Sequence, residues 1–123
     1  MKVILSIKPQ FVQKIFDGTK RFEFRRAIFK DPKVKKVIVY SSSPVQKIVG
    51  EFEIESIICN DLKSLWEITS KHAGITQEFF LEYFFDRQEG FAIKIKNAKL
   101  YKEPKCIRKD YKLRPPQSFL YYY

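Results

Sequence analysis

The chain has 123 residues, 45% of them hydrophobic, with few Gly and Pro, which fits one globular domain over residues 1–123 and excludes a disordered or low-complexity protein. Its 24 Lys and Arg against 14 Asp and Glu leave a formal charge of +10. This excess favours a polyanionic partner over an anionic membrane, because the predicted helices are not basic. General solubility charge is the alternative that composition leaves open.

Signals for secretion or membrane insertion are missing from the sequence. The first residues, MKVILSIKPQ, carry five apolar side chains before Lys8 and no small-residue cleavage pattern. No apolar run approaches the length that spans a bilayer. Cys59 and Cys106 lie far apart, so we expect reduced thiols in a cytoplasmic protein, with a disulfide as the open alternative.

The N-terminal third predicts a strand, a helix and a second strand. Val3–Ile7 is a short apolar run, and Pro9 follows at a position that suits the first turn of a helix. Gly18 stands where a left-handed residue would end that helix. Across Thr19–Arg26 phenylalanines alternate with charged residues, which predicts a strand with one apolar and one ionic face.

Two further strands follow, separated by a turn. Lys35–Ser41 has an apolar centre and runs into a serine-rich turn that contains Pro44. Ile48–Ile58 alternates isoleucine and phenylalanine with glutamate, which predicts one core face and one wet face. Gly50 is a candidate for a bulge in this strand.

Two helices and a fifth strand are predicted next. Asn60 or Asp61 can cap a helix that closes at Gly74, and Thr76 can cap another. Apolar and lysine residues then alternate from Phe91 in a fifth strand that can continue to Tyr101. The remaining residues, to Tyr123, are predicted to be irregular.

Basic residues concentrate in two stretches. Lys20–Lys36 holds eight Lys or Arg, and Lys94–Arg114 holds nine. Acidic residues gather instead on and after the third predicted helix, at Glu78, Glu82, Asp86 and Glu89. This polarity indicates one surface that attracts anions, and two ordinary solvated faces are the alternative.

The segment Gly18–Arg26, GTKRFEFRR, has the arrangement best suited to a ligand. Lys20 lies at the turn, and Glu23 and Arg25 share one strand face two residues apart. Such a carboxylate could accept hydrogen bonds from a base or a ribose while the cations hold phosphate. A structural Glu–Arg pair at the rim of the sheet is the alternative.

This segment resembles the G-x-K-x-x-E-x-R signature of the ASCH domain, a family of the PUA-like superfamily, with Gly18, Lys20, Glu23 and Arg25 in its places. YSSSPVQKIVGEFEI and the closing RPPQSF are further segments similar in kind, so the resemblance covers nearly the whole chain. It implies an α+β fold, a PUA-like small β-barrel of about five to six strands with three flanking helices. It also implies a cleft into which the signature residues project.

The resemblance further implies an RNA-related role. ASCH proteins are linked to RNA metabolism and transcriptional regulation, and small relatives act as N4-acetylcytidine amidohydrolases through the signature Lys, a Thr three residues later and a downstream Glu. Lys20 matches the Lys, whereas position 23 is Glu instead of Thr. We therefore expect binding of RNA or a nucleotide-bearing ligand without catalysis.

The predicted ligand contacts are Lys20, Arg25 and Arg26 to phosphate and Glu23 to a base, with Ser41, Ser42, Gln117 and Ser118 as further candidates. The alternatives are a small hydrolase, either an amidohydrolase or a ribonuclease with Lys20 as its base, and a protein-interaction adaptor. No cofactor and no metal are expected. The chain has a single histidine, His72, and its two cysteines lack the spacing of paired metal ligands.

Overall fold

The six strands of the protein form one mixed sheet in a computed structural model that describes all residues from 1 to 123. The strands are β1 (Lys2–Ile7), β2 (Phe22–Arg25), β3 (Lys36–Ser41), β4 (Lys47–Asp61), β5 (Glu89–Lys105) and β6 (Phe119–Tyr122). The helices are α1 (Pro9–Asp17), α2 (Leu62–Thr69), α3 (Gln77–Tyr83) and α4 (Ile107–Tyr111), with one 3-10 turn at Ser70–His72. The α+β fold predicted from the sequence is confirmed.

The strand order is β2-β5-β4-β3-β1-β6, with β1 and β3 parallel and every other neighbouring pair antiparallel. β2 and β6 are the edge strands and do not pair with each other, so the sheet is open. The five to six strands expected are present, and the architecture is compatible with a barrel-like PUA fold. A fourth short helix joins the three that the sequence predicts.

Helix α1 begins and ends where its sequence signals stand. Pro9 occupies its first turn, and Gly18 ends it with φ of 87°, in the left-handed region that glycine adopts without a steric penalty. Val12 and Ile15 point from this helix into the core. The left-handed turn at Gly18 then directs the chain towards β2.

The caps of α2 and α3 follow the sequence as well. Of the two candidates for α2, Asp61 is the cap, and its side chain accepts a hydrogen bond from the Ser64 amide at 3.0 Å. Thr76 caps α3 by accepting from the Phe79 amide at 3.1 Å. Both helices pack on β2 and β5 through an apolar cluster that contains Phe22, Phe24, Leu65, Phe80, Phe84 and Ala92.

The central strands are covered on both faces. One face meets α1 in a cluster that includes Leu5, Val39 and Phe52, and the opposite face meets α4 through Ile38 and Ile107. This two-sided cover explains why β1 and β3 read as nearly continuous apolar runs and not as alternating ones. No helix of the structure has the length and apolarity to cross a membrane.

Several element boundaries differ from the sequence prediction, and α2 ends at Thr69 and not at the predicted Gly74. β2 is shorter than the predicted Thr19–Arg26, whereas β4 and β5 extend a few residues beyond their predicted limits at both ends. Register shifts interrupt the long β4–β5 pairing, so the face to which alternate side chains point changes along the strands. A simple alternating pattern in the sequence therefore does not reveal their full length. One of these shifts lies between Ile48 and Gly50, where a bulge is predicted.

The prediction of an irregular C-terminal segment is wrong. α4 forms after β5, and β6 pairs with β1 in antiparallel register, with Leu120 opposite Ile4. β6 has no polar alternation of its own, because Tyr and Phe occupy both faces. Its strand conformation comes from the free edge of β1, a tertiary partner that local sequence does not reveal.

Candidate nucleic-acid site

A cavity of about 510 Å³ opens between the ends of β1 and β2, the start of α1, helix α3 and the segment before β6. It falls in the size range of small-ligand sites. Its lining residues are Ser6, Ile7, Lys8, Phe11, Lys20, Glu23, Phe24, Arg25, Arg26, Ala27, Ser42, Ile75, Phe79, Tyr83, Gln117 and Ser118.

Seven of the eight residues proposed from the sequence line this cavity: Lys20, Glu23, Arg25, Arg26, Ser42, Gln117 and Ser118. The exception is Ser41. It is buried in β3, paired with Ile7 of β1 and Lys47 of β4, and is not part of the cavity wall. The strand holds Ser41 inside the sheet, and the chain first reaches the cavity at Ser42.

Lys20 is almost completely buried, at 2% exposure, on one wall of the cavity. Its Nζ donates a hydrogen bond of 2.8 Å to the main-chain oxygen of Ala73 and lies 4.9 Å from the ring centroid of Phe24 and 5.4 Å from that of Phe11. Burial lowers the pKa of this amine; Glu23 opposes that shift, and Lys14 adds to it. Lys20 is therefore an amine held in an apolar and aromatic setting.

Main-chain contacts place Lys20 in this position. Its amide donates to the carbonyl of Lys14 at 3.0 Å, directly after the left-handed turn at Gly18. The aliphatic stem of Lys20 passes over Gly74, where an added Cβ would lie 2.6 Å from the Lys20 Cβ. Gly74 thus provides the space through which the lysine reaches the cavity.

Glu23 and Arg25 also lie inside the protein, with 6% and 8% exposure. Arg25 Nη1 lies 3.3 Å from Glu23 Oε2, and the same nitrogen donates to the Ser6 carbonyl at 3.4 Å. Arg25 Nη2 donates to Ser118 Oγ at 2.7 Å. The pair belongs to a buried hydrogen-bond network at the cavity and not to an exposed rim of the sheet. Its position is consistent with both predicted roles, a structural ion pair and a contact to a ligand.

Arg26 follows at the mouth of β2 and contributes a guanidinium to the cavity wall. Its Nη2 lies 3.4 Å from the Phe85 carbonyl, and its Nε is buried without a hydrogen-bond partner. A buried N–H without an acceptor costs free energy, so the position of Arg26 carries a local cost in stability.

Several lining residues were not singled out from the sequence. Phe11 and Phe79 form an edge-to-face pair at 5.3 Å, and Lys8 Nζ lies 5.9 Å from the Phe79 ring centroid. Burial raises the pKa of the Tyr83 hydroxyl on the same wall. The helical spacing of these aromatics marks them as core residues of α1 and α3, and only the packing of the two helices turns them towards a cavity.

The basic stretches are partly neutralised by β4. Lys36 pairs with Glu51 at 3.2 Å, and Lys94 pairs with Glu55 at 2.8 Å, across neighbouring strands. The glutamates on the polar face of β4 therefore compensate some of the charge that the sequence concentrates in these stretches. The cations at the cavity have one acidic side chain among them, Glu23.

Residues 1–113 match the family described as Domain of unknown function (DUF365). The chain is 25% identical over 122 residues to the "ASCH domain-containing ribonuclease" of Zymomonas mobilis, covering 95% of this chain and 81% of that protein. It is 32% identical over 120 residues to the "ATP synthase subunit alpha" of Ureaplasma parvum, where it spans 97% of its own length but 15% of that protein. The crystal structure of the ASCH protein from Zymomonas mobilis has a TM-score of 0.90 with 23% identity, over 99% of this chain and 87% of that one.

Proposed function

Since this chain is a member of the DUF365 family and an ASCH-domain protein, we propose that it binds RNA by seating one unstacked nucleotide in the cavity beside Lys20, Glu23 and Arg25. The observation that carries this proposal is the burial of three charged side chains around a space that no protein group fills. Buried charges are costly, and a site for a charged polar ligand gives a reason to keep them.

The form of the cavity supports a single-stranded ligand. Its walls are formed by α1, α3 and the C-terminal segment, so a base can enter only if it leaves its stack. Sequence-specific proteins read RNA in this way, with aromatic side chains against the base and cations on the phosphates. Phe11 and Phe79 supply the aromatic surface, and Arg26 and Lys8 supply further cations in the cavity lining.

RNA is also the ligand class that the Zymomonas mobilis relative suggests, because that protein is named a ribonuclease. The formal charge of +10 adds a long-range attraction for any polyanion. Composition alone does not separate RNA from other anions. The cavity supports RNA over a simple anion, since it has room and polar groups for a nucleoside as well as for a phosphate.

Fluorescence anisotropy with a short labelled single-stranded RNA tests the proposal. We expect affinity to fall with salt by about 0.7 log units per decade for each phosphate contact. Arg26→Ala should weaken binding about tenfold, because it removes a guanidinium from the cavity lining that can contact a phosphate. Lys63→Ala, at an exposed lysine outside the cavity lining, is the matched control. A flat salt response or equal effects of both variants contradicts the proposal.

RNA cleavage in the same cavity is the second candidate, and the setting of Lys20 favours it. An amine whose pKa is lowered by burial is more readily neutral, and a neutral amine can act as a general base. It would take the proton of a ribose 2′-hydroxyl as that oxygen bonds to the adjacent phosphorus. The bond from phosphorus to the 5′-oxygen then breaks, and the leaving oxygen takes a proton from solvent.

Lys20→Arg separates cleavage from binding, since arginine keeps the positive charge but does not lose its proton. If the protein cleaves RNA, this variant should bind the labelled RNA and leave it intact, while the wild type produces shorter fragments. N4-acetylcytidine is assayed in parallel for release of acetate. Intact RNA and intact N4-acetylcytidine with the wild-type protein would leave binding as the function.

A further inference from the structure

The carboxylate of Glu23 has one oxygen engaged and one oxygen free. Oε2 pairs with Arg25 Nη1 at 3.3 Å, whereas Oε1 accepts no hydrogen bond from the protein. The side chain of Glu23 is only 8% exposed and lines the cavity. Arg26 Nε is the one side-chain N or O atom that is buried without a partner. Because Glu23 Oε1 also lacks a partner but is not such an atom, it is not sealed from solvent. A fixed acceptor is thus presented to whatever occupies the cavity.

The network around Glu23 holds this acceptor in place. Arg25 donates hydrogen bonds to the Ser6 carbonyl and to the Ser118 hydroxyl. The guanidinium that pairs with Oε2 is therefore held in position. A carboxylate paired in this way accepts hydrogen bonds and donates none. The free oxygen therefore favours a ligand N–H and disfavours a ligand carbonyl at the same place.

We infer that the cavity selects nucleobases that carry an exocyclic amino group, namely cytosine, adenine and guanine, over uracil. This inference rests on the proposed RNA-binding function and names the substrate class of that site. An exocyclic amino group donates to Glu23 Oε1 from the rim of the base. The donor on the pairing edge of uracil, N3–H, lies instead between two carbonyl oxygens, so a carboxylate that accepts from it is brought against those two acceptors. Bringing a carbonyl oxygen against a buried carboxylate leaves both acceptors without a donor, which costs binding free energy.

The aromatic wall has a different role in this selection. Phe11 and Phe79 offer ring surfaces, and every base has a face that can stack on them. These contacts contribute affinity without a preference among bases. The preference comes from Glu23, since the other charged residues on the wall, Lys8, Lys20, Arg25 and Arg26, are donors that suit phosphate or carbonyl oxygens.

Binding of oligocytidine, oligoadenosine and oligouridine of equal length, measured by anisotropy with the full chain, tests the inference. We expect the wild type to bind the first two about tenfold more tightly than oligouridine. Glu23→Gln should bring the three affinities to within about twofold, because a glutamine amide can both donate and accept. Glu78→Gln, at an exposed glutamate on α3, should keep the tenfold preference.

A second measurement needs no variant and is therefore independent of any effect of Glu23→Gln on folding. Oligomers of N4,N4-dimethylcytidine keep the cytosine ring but lack the amino N–H donors, so the wild type should bind them about as weakly as oligouridine. Equal, salt-sensitive binding of all oligomers by the wild type overturns the base preference and leaves RNA binding intact. If no oligomer binds, the proposed function fails, and the inference fails with it.

Discussion

Arg25 Nη2 lies 2.7 Å from the Oγ of Ser118, a residue 93 positions later in the chain. Arg25 ends β2, which is one edge of the open sheet, and Ser118 precedes β6, which is the other edge. The guanidinium therefore connects the two edges of the sheet at the cavity, where no main-chain hydrogen bond joins them. This contact makes the cavity wall depend on a side chain and not on strand pairing.

Arg25→Lys should destabilise the protein even though the charge is kept. Lysine has no fork of donors that can reach Ser6, Glu23 and Ser118 together, so at least one charged hydrogen bond is lost inside the protein. We expect the free energy of unfolding in urea to fall by about 1–3 kcal/mol. Arg21→Lys, at an exposed position on the same segment, should change it by no more than about 0.5 kcal/mol. Equal losses would show that Arg25 does not connect the edges.

Gly74→Ala should harm the site more than Gly18→Ala, although both glycines have positive φ, at 68° and 87°. A left-handed alanine costs about 1–2 kcal/mol at either position. At Gly74 the new Cβ would also lie 2.6 Å from the Lys20 Cβ, whereas at Gly18 it would meet nothing within 4 Å. Urea unfolding should show the larger loss for Gly74→Ala, and this variant alone should weaken RNA binding. Similar results for both would mean that Lys20 moves aside freely.

Lys20→Met should change how stability depends on pH. The pKa of Lys20 in the folded protein is lowered from its ordinary value of 10.5, so between these two values the unfolded chain binds more protons than the folded one. Wild-type stability therefore gains from this residue as the pH rises through that window. The gain is absent below the lowered pKa, where both states carry the proton.

Methionine has no proton to lose, so the difference in unfolding free energy, wild type minus Lys20→Met, should rise with pH across the window. Urea titrations at several values of pH from neutral to 10.5 measure this difference, and other titrating groups cancel in it. Lys63→Met, at an exposed lysine, should give a constant difference. A constant difference for Lys20→Met would contradict the lowered pKa.

Phe80→Ala should remove much of the support of α3, which forms one wall of the cavity. Phe80 is completely buried and its ring contacts Phe24, Trp66 and Phe84 at centroid distances of 5.3, 5.0 and 4.9 Å. Truncation should lower the free energy of unfolding by about 3–5 kcal/mol. Phe85→Ala, at a ring that is 76% exposed, should cost no more than about 0.5 kcal/mol. Comparable losses would be inconsistent with this packing of Phe80.

Local signals in the sequence were enough to predict both ends of α1 and the N-terminal caps of α2 and α3, but not the end of α2 or the presence of α4. Pro9 and Gly18 delimit α1, and Thr76 caps α3, because each acts through the backbone of its own few residues. The order of predicted strands and helices agrees with the α+β class that the resemblance to the ASCH family implies. The alternation within β2 also separates Phe22 and Phe24 from Glu23 and Arg25, which indicates the charged face of this strand.

The sequence by itself therefore determined the first five strands, the first three helices and most of the polar residues at the cavity, whereas α4 and β6 emerged only in the tertiary structure. Only the tertiary structure decided that Glu23 and Arg25 are buried, that Ser41 stays inside the sheet, and that Phe11 and Phe79 form a wall. Side-chain parity distinguishes two faces of a strand without indicating what covers either one. The cover here comes from α1, α3 and the segment before β6, which are brought to β2 by contacts between distant parts of the chain.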